Sequence, residues 1–306
     1  MKNLAARTFA WLVERLPARF RERMFLACAA SLGVESFVVT GKLGEFEGGI
    51  RDRMVHGAYL QDRTWAPALQ EVLADRLFRK GEGAYIDVGA NIGLTTIPLA
   101  RARHVECHAF EPEARNNAFL RKNVIANRVG DRVRTYDFAL SDADAELVFE
   151  LASDNMGDHR VRAAGPAEVR TGEPNRYGEH LRETTVVQGR RLDGILDVST
   201  LRRPLVMKLD AQGSEVKALR GAPRLLHELD ALIVEFWPYG LRRLGDSPEE
   251  LIELVRGFPF GAVLSGPEAA AGLRPAEEAL ALMRALGERK DDPGWLDVVF
   301  TRTQTW

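Results

Sequence analysis

The chain has 306 residues, of which 45% are hydrophobic and 28% are charged, and this balance excludes an intrinsically disordered chain. The formal net charge is only −2, so the basic excess typical of a nucleic-acid-binding protein is missing and we expect no nucleic-acid partner. Two cysteines, Cys28 and Cys107, are too few for a disulfide framework or a cysteine-rich zinc site, which favours a reducing, cytoplasmic location.

Residues 1–80 are predicted to form a helical N-terminal extension or cap, in which residues 36–40 are a candidate strand. Apolar residues recur at helical spacing with Arg and Glu between them: Phe9, Leu12, Val13, Leu16 and Phe20. Two interpretations stay open, a helix packed on the main domain and a basic amphipathic helix on a membrane surface. The second would give peripheral membrane contact through residues 1–25. No segment has the roughly 18 apolar residues that a membrane-spanning helix needs.

From Ala84 onward, short apolar runs alternate with helical stretches, which predicts βαβ units and one domain over residues 81–306. The predicted strands are 85–88, 105–110, 133–136, 204–209, 232–236, 262–264 and 297–301. The predicted helices are 65–78, 94–102, 115–126, 214–226, 248–255 and 277–286. Insertions interrupt this pattern near 153–183 and 265–293. The first is interpreted as a substrate-side loop or as a passive surface excursion.

The strongest motif is Asp-Val-Gly-Ala-Asn-Ile-Gly at residues 87–93, between a predicted strand and a predicted helix. Gly89 permits a tight turn, and Gly93 permits close packing of the helix on the strand. The motif lacks the second glycine of the G-x-G-x-x-G dinucleotide fingerprint. The Asp87 carboxylate suits instead a ligand that carries a positive charge.

A second signal is Glu111, at the end of the next predicted strand and 24 residues after Asp87. An open α/β sheet places a carboxylate there on a ribose diol. Such a carboxylate accepts two charge-assisted hydrogen bonds, each worth about 1.5–3 kcal/mol. An acidic loop with a ribose-binding acid and no phosphate cradle predicts S-adenosylmethionine as the cofactor.

The third signal is Lys-Leu-Asp-Ala-Gln-Gly-Ser-Glu at residues 208–215, after another buried strand. Asp210 is expected to face the same crevice as the two earlier carboxylates, because ligands of such sheets bind at the carboxyl ends of the strands. Glu215 has two interpretations, a site residue and an acid that complements the dipole at a helix N-terminus. Glu235, near the end of the next strand, is a further candidate for the crevice.

These motifs resemble the FkbM family of S-adenosylmethionine-dependent methyltransferases. The resemblance covers roughly residues 80–240 and rests on the segments 86–93, 109–112 and 206–215. It implies a Rossmann-like class I methyltransferase with a mostly parallel seven-stranded sheet, helices on both faces and an antiparallel last strand. It also implies methyl transfer to a hydroxyl oxygen of a sugar, glycan, glycolipid or related natural product.

Together, the motifs and the resemblance assign eight residues to cofactor binding: Asp87, Gly89, Asn91, Gly93, Glu111, Phe138, Ala139 and Asp210. In this assignment Glu111 holds the ribose, and backbone groups of Phe138 or Ala139 contact the adenine. One departure stands out, because the family usually has Glu where this chain has Gln212. An amide cannot act as a base and is a weaker metal ligand, and no metal is predicted.

Methyl transfer to a hydroxyl requires an aligned acceptor and a group that takes its proton. The predicted catalytic residues are, in order, Asp210, Glu215 and His159, with Glu235 and His180 behind them. Two alternatives remain open. Gln212 motivates a cofactor-binding or interaction protein without catalysis, and the general fold is shared with nicotinamide-dependent oxidoreductases.

Overall fold

A computed structural model describes residues 15–164, 177–264, 272–289 and 294–304. Its strands are β1 (Ser36–Gly41), β2 (Gly44–Gly49), β3 (Glu82–Val88), β4 (His104–Phe110), β5 (Val133–Tyr136), β6 (Ala139–Leu140), β7 (Ala145–Leu151), β8 (Arg160–Val161), β9 (Glu183–Arg190), β10 (Leu205–Leu209), β11 (Ala231–Phe236), β12 (Phe260–Val263), β13 (Arg274–Pro275) and β14 (Leu296–Thr301). Its α-helices are α1 (Ala18–Ser31), α2 (His56–Asp62), α3 (Pro67–Glu71), α4 (Thr96–Ala102), α5 (Ala114–Ala126), α6 (Glu215–Arg220), α7 (Pro223–Glu228), α8 (Pro238–Arg243), α9 (Pro248–Val255) and α10 (Ala276–Gly287).

The main sheet has eight strands among the described residues, in the order β13-β12-β14-β11-β10-β3-β4-β5. The five strands from β11 to β5 are mutually parallel, whereas β14 is antiparallel to both β11 and β12. The sheet is therefore mixed, and the predicted seven-stranded sheet was wrong by one strand. The extra strand is the two-residue β13, which pairs with β12 at the edge and is too short to leave a pattern in the sequence.

Helices cover both faces of the main sheet, as predicted. Along β3, Ile86 faces the core that α6, α7, α9 and α10 share, and Tyr85 faces the core beneath α4 and α5. Successive side chains alternate between the faces because a strand has a period of two residues. The same alternation puts Asp87 on the α4 face, beside the neighbouring strand β10.

The N-terminal region has less helix than was predicted over residues 1–80, although the candidate strand at 36–40 is present as β1. Its described part contains the antiparallel hairpin β1–β2, held against α5 by side-chain amides. Asn123 Nδ2 donates to Glu47 O, and Asn127 Nδ2 donates to Glu45 O. Helix α1 follows Pro17, and residues 1–14 lie outside the described residues. No described helix is long and apolar enough to cross a membrane.

A second, four-stranded sheet of order β6-β9-β7-β8 was not predicted. It flanks a connection at residues 152–159, which we call the strap. The first predicted insertion, near 153–183, therefore contains the strap, β8 and the start of β9, while residues 165–176 of it lie outside the described residues. Of the second insertion, residues 265–271 and 290–293 also lie outside them.

Two predicted helices are interrupted. The helix expected over 214–226 is split into α6 and α7 at Gly221, where an added Cβ would lie 2.0 Å from Ser141 O. The helix expected over 65–78 is α3 followed by one π-helical segment, Val72–Leu77. Tertiary contacts override the local pattern in the first case, since only glycine allows that approach.

Candidate active site

The carboxyl ends of β3, β4 and β10 meet in space because these strands are parallel neighbours. They border what we call the first cavity. Seven of the predicted site residues line it together: Gly89, Asn91, Glu111, Phe138, Ala139, His159 and Asp210. The strap closes one side of this cavity through Met156, Gly157 and His159.

The turn after β3 presents its backbone to the first cavity. Gly89 and Asn91 both adopt left-handed conformations, with φ of +78° and +51°. A Cβ at residue 89 would lie 2.0 Å from Asp210 O, so the glycine is required by the loop after β10. Asn91 is anchored on the strap, because its Nδ2 donates to Met156 O at 2.9 Å. Gly93, predicted to bind the cofactor, lies outside the cavity, and its missing Cβ allows the close approach of Ile97 on α4 and Leu120 on α5.

Glu111 is buried, with a side chain held by two backbone groups. Its Oε2 accepts from Asn91 N and its Oε1 from Glu113 N, both at 2.9 Å. Burial raises the pKa of Glu111 to about 8, against the lowering effect of these hydrogen bonds. A carboxylate oxygen has two lone pairs, so each oxygen can accept one further hydrogen bond from a ligand in the cavity.

Asp87 is placed differently from its prediction as a cavity residue. It is fully buried beneath the turn, where Thr96 Oγ1 donates to its Oδ2 at 2.6 Å. The register of β10 on β3 sets Lys208 opposite it, with Nζ 3.4 Å from Asp87 Oδ1. Asp87 therefore influences the first cavity through Lys208 and does not line it.

Lys208 is a residue whose role the motif analysis missed. Its Nζ lies 3.3 Å from Asp210 Oδ2 and donates to Gly89 O at 3.4 Å. Burial works to lower the pKa of Lys208, but the carboxylates of Asp210 and Asp87 outweigh it and raise the pKa above its ordinary range. The available signal was a lysine inside a strand that is otherwise apolar, because such a residue is rarely buried without partners.

A second cavity adjoins the first, and it shares Val55, Trp65, Gly157, Lys208, Asp210 and Gln212 with it. Its whole lining brings aromatic rings and carboxylates together among aliphatic side chains. The rings are those of Trp65, Tyr177, Trp237 and Trp295. The carboxylates are those of Asp158, Asp210, Glu235 and Asp297. Apart from Asp210 and Glu235, none of these residues was assigned a role from the sequence.

Gln212 lies at the boundary between the two cavities. Its Nε2 donates to Asp210 Oδ1 at 2.9 Å and to Glu235 Oε2 at 3.0 Å. A glutamate at this position would bring a third carboxylate to the pair. The departure from the family pattern thus replaces a like charge with a donor that joins Asp210 to Glu235.

Beneath the second cavity, the fully buried guanidinium of Arg160 supports two of the aromatic rings. Its Cζ lies 5.4 Å from the Tyr177 ring centroid and 5.3 Å from that of Trp237. The carboxylates around it belong to Glu150, Asp158 and Glu179. A buried arginine requires such partners, and here they tie the rings to β7, the strap and the segment before β9.

Glu215 lies in neither cavity. Its Oε1 accepts from Ala211 N at 2.9 Å and from Gly213 N at 3.1 Å, so it braces the loop that carries Asp210 and Gln212. Burial raises the pKa of Glu215 to about 7. This position favours the helix-terminus interpretation over the catalytic one.

His159 lines the first cavity, but its Nδ1 accepts a hydrogen bond from Ala152 N at 2.9 Å. The neutral ring then carries its proton on Nε2 and has no lone pair left for a substrate proton. Burial lowers the pKa of His159, which favours that neutral form. His180 is exposed and lines neither cavity. Among the residues that the structure describes, no group of three or more His, Cys, Asp and Glu side chains is arranged to hold a metal ion.

Residues 87–258 match the methyltransferase FkbM domain family, which is more than half of the chain. No curated protein matches the sequence. Among solved structures, a protein described as a transferase from Pyrococcus horikoshii is similar at a TM-score of 0.41 and 14% identity, over 92% of this chain and 84% of that one. An S-adenosylmethionine-dependent O-methyltransferase from Thermotoga maritima gives a TM-score of 0.38 and 11% identity, over 87% and 77%. An rRNA methylase from Streptococcus thermophilus gives 0.37 and 11%, over 77% and 95%. These likenesses are too distant to assign an activity.

Proposed function

The chain belongs to the FkbM methyltransferase family, and from this premise we propose that it transfers the methyl group of S-adenosylmethionine to a hydroxyl group of a sugar, glycan or related natural product. We favour this function over the oxidoreductase alternative. The turn after β3 lacks the second glycine of the dinucleotide fingerprint, which would let the pyrophosphate of a nicotinamide cofactor approach the backbone. The two free cysteines suit a reducing compartment, so we place the reaction in the cytoplasm.

The residues of the first cavity fit the proposed cofactor. Glu111 offers lone pairs to the two ribose hydroxyls, and the backbone N–H groups of Asn91 and Glu113 hold its carboxyl group in place. Phe138, at the entrance to β6, provides an apolar surface for an adenine ring. The turn backbone at Gly89 and the carboxylate of Asp210 face the same space and suit a cationic group. The cofactor would supply an activated methyl group on a positively charged sulfur.

The observation that carries the acceptor assignment is the composition of the second cavity. Aromatic faces pack against the apolar faces of sugar rings, and carboxylates accept hydrogen bonds from hydroxyl groups. Both kinds of group meet there, and the cavity joins the first one at Asp210 and Gln212. An acceptor in the second cavity, where the edge of Trp237 contributes to the lining, would thus present a hydroxyl at the boundary of the two cavities. Such positioning supplies much of the rate acceleration in transfer reactions.

A glycolipid acceptor remains within this proposal, with peripheral membrane contact through residues 1–25. Helix α1 exposes Phe20, Met24 and Phe25, and Met54 is exposed at the second cavity. Co-sedimentation with anionic vesicles would compare the full chain with a chain lacking residues 1–25. Equal sedimentation of the two would exclude the contact.

The test of the proposed function has two steps. Calorimetric titration with S-adenosylmethionine is expected to show binding at micromolar concentrations. Transfer of a labelled methyl group to a panel of methyl glycosides and glycolipids then identifies the acceptor. Absence of binding would refute the cofactor assignment. Binding without transfer to any member of a broad panel would favour the non-catalytic alternative.

Trp237→Leu tests the acceptor assignment separately. Loss of one aromatic ring from the lining removes about 0.5–1.5 kcal/mol, so the KM for the acceptor is expected to rise roughly 3- to 10-fold while the Kd for the cofactor stays unchanged. Phe258→Leu is the matched control, because Phe258 is a buried ring under a guanidinium, that of Arg302, and lines neither cavity. An acceptor KM that is equal in the two variants would place the acceptor elsewhere.

A further inference from the structure

The second cavity contains a carboxylate, Glu235, that lies outside the first cavity and is linked to it by Gln212. Glu235 is at the carboxyl end of β11, next to β10. Its Oε2 accepts from Gln212 Nε2 at 3.0 Å, and no described residue donates a hydrogen bond to its Oε1. Gln212 thus orients the Oε2 atom of Glu235, and the Oε1 atom is available to a molecule in the second cavity.

Asp210, the first-ranked base from the sequence, is less suited to take a proton. Its Oδ2 is paired with Lys208 Nζ at 3.3 Å, and its Oδ1 accepts from Gln212 Nε2 at 2.9 Å. Both oxygens are therefore engaged by neighbouring side chains, which leaves Asp210 less accessible to a substrate proton. Asp210 also faces both cavities, a position that suits holding the cofactor side of the reaction.

The charges around Glu235 set it apart from Asp210. Asp297 on β14 stands directly opposite it in the antiparallel register, and like charges in that position repel. Burial raises the pKa of Glu235 well above its usual range, and the carboxylates of Asp210, Glu215 and Asp297 raise it further, while Lys208 opposes them. A raised pKa lets a carboxylate keep the proton that it takes, so this environment favours Glu235 for the role.

Resting on the proposed function, we propose that Glu235 is the catalytic base and that Gln212 is its positioning residue. The acceptor hydroxyl gives its proton to Glu235 Oε1, and the oxygen electron pair forms the new bond to the methyl carbon. The carbon–sulfur bond breaks, and its electron pair remains on sulfur. The products are a methyl ether, a neutral thioether and protonated Glu235, so the positive charge lost by sulfur balances the negative charge lost by Glu235.

This arrangement predicts a coupling that needs no acceptor to be observed. A positive sulfur in the first cavity stabilises ionised Glu235 across the boundary, so its pKa falls when S-adenosylmethionine binds. S-Adenosylhomocysteine has a neutral sulfur and lacks this effect. Binding of the first ligand should release more protons to the buffer than binding of the second.

The experiment is calorimetric titration of both ligands between pH 6 and 9, in buffers of different ionisation enthalpy, which gives the number of protons released. We expect the wild type to release more protons with S-adenosylmethionine than with S-adenosylhomocysteine. Glu235→Gln should abolish this difference. Glu228→Gln, the same change at an exposed site on α7 that pairs with Arg203, should retain it. A difference that persists in Glu235→Gln, or is missing in the wild type although both ligands bind, overturns the proposal.

Gln212→Leu provides a second test that does not alter the carboxylate itself. Loss of the hydrogen bond to the ionised form raises the pKa of Glu235, so the pH of the largest difference should move upward. An unchanged pH profile would contradict the positioning role. With any acceptor found by the labelled-methyl panel, Glu235→Gln should lower kcat by about 10²–10⁴-fold, and an unchanged kcat would also overturn the proposal. If neither ligand binds the wild type, the proposed function fails instead.

Discussion

The two cavities are built by different means. In the first, backbone groups of turns at parallel strand ends fix the polar side chains, as the two N–H donors to Glu111 show. In the second, side chains fix other side chains, as the Arg160 guanidinium beneath Tyr177 and Trp237 shows. Backbone groups in turns hold a single geometry, which suits a site whose ligand is always the same molecule. Side-chain walls can be altered one residue at a time, which suits a variable acceptor.

The largest expected effect is that of a substitution at Glu111, which lines the first cavity and not the second. Above pH 8, where Glu111 is ionised, Glu111→Ala removes two charge-assisted hydrogen bonds of about 1.5–3 kcal/mol each, so cofactor affinity should fall at least hundredfold. Calorimetric titration measures this loss. Glu113→Ala is the neighbouring control. It removes the N-cap of α5, which accepts from Arg115 N and Asn116 N, and should cost about 1 kcal/mol of folding stability without loss of affinity. Equal affinity in wild type and Glu111→Ala would remove the ribose assignment.

The next largest effect concerns Lys208, which lines both cavities. Lys208→Met leaves Asp87 buried without its cation, so the free energy of unfolding should fall by about 3–5 kcal/mol. Chemical denaturation measures the change. Lys122→Met removes an exposed pair with Glu47 and should cost at most about 1 kcal/mol. Similar losses of unfolding free energy in the two variants would mean that Lys208 contributes no more to stability than an exposed ion pair does.

The smallest effect belongs to Glu215, which we place in neither cavity. Its raised pKa, about 7, means that the folded state binds a proton that the unfolded state has released above about pH 4.5. Stability from this group is therefore present below that pH and is lost as the pH rises toward 7. Thermal unfolding of Glu215→Gln should depend less on pH in this window than that of the wild type. Cofactor affinity should not change in this variant. A large loss of affinity would mean that Glu215 belongs to the binding site.

The strands and helices of the main sheet, and the motifs at the strand ends, were predictable from the sequence. Apolar runs and glycine-containing turns leave local patterns that reveal them. The helix Pro248–Val255 and the strand Val133–Tyr136 have their predicted bounds, and the motifs at 87–93, 111 and 210 meet at one sheet edge. The second cavity was not predictable, because Trp65, Trp237 and Trp295 come from distant segments and no spacing links them. The ion pair of Lys208 with Asp87 depends on strand register, which one sequence does not specify.

The peptide at Met156 has a consequence for the time that a ligand stays bound. Its carbonyl accepts from Asn91 Nδ2 and Asn116 Nδ2, both at 2.9 Å, and its N–H donates to Asp52 Oδ1 at 3.4 Å. Three distant segments are thereby tied at one point beside the first cavity. A ligand that leaves the first cavity past the strap would have to break these bonds. Loss of the Asn116 amide is therefore expected to shorten the residence time of a ligand in the first cavity.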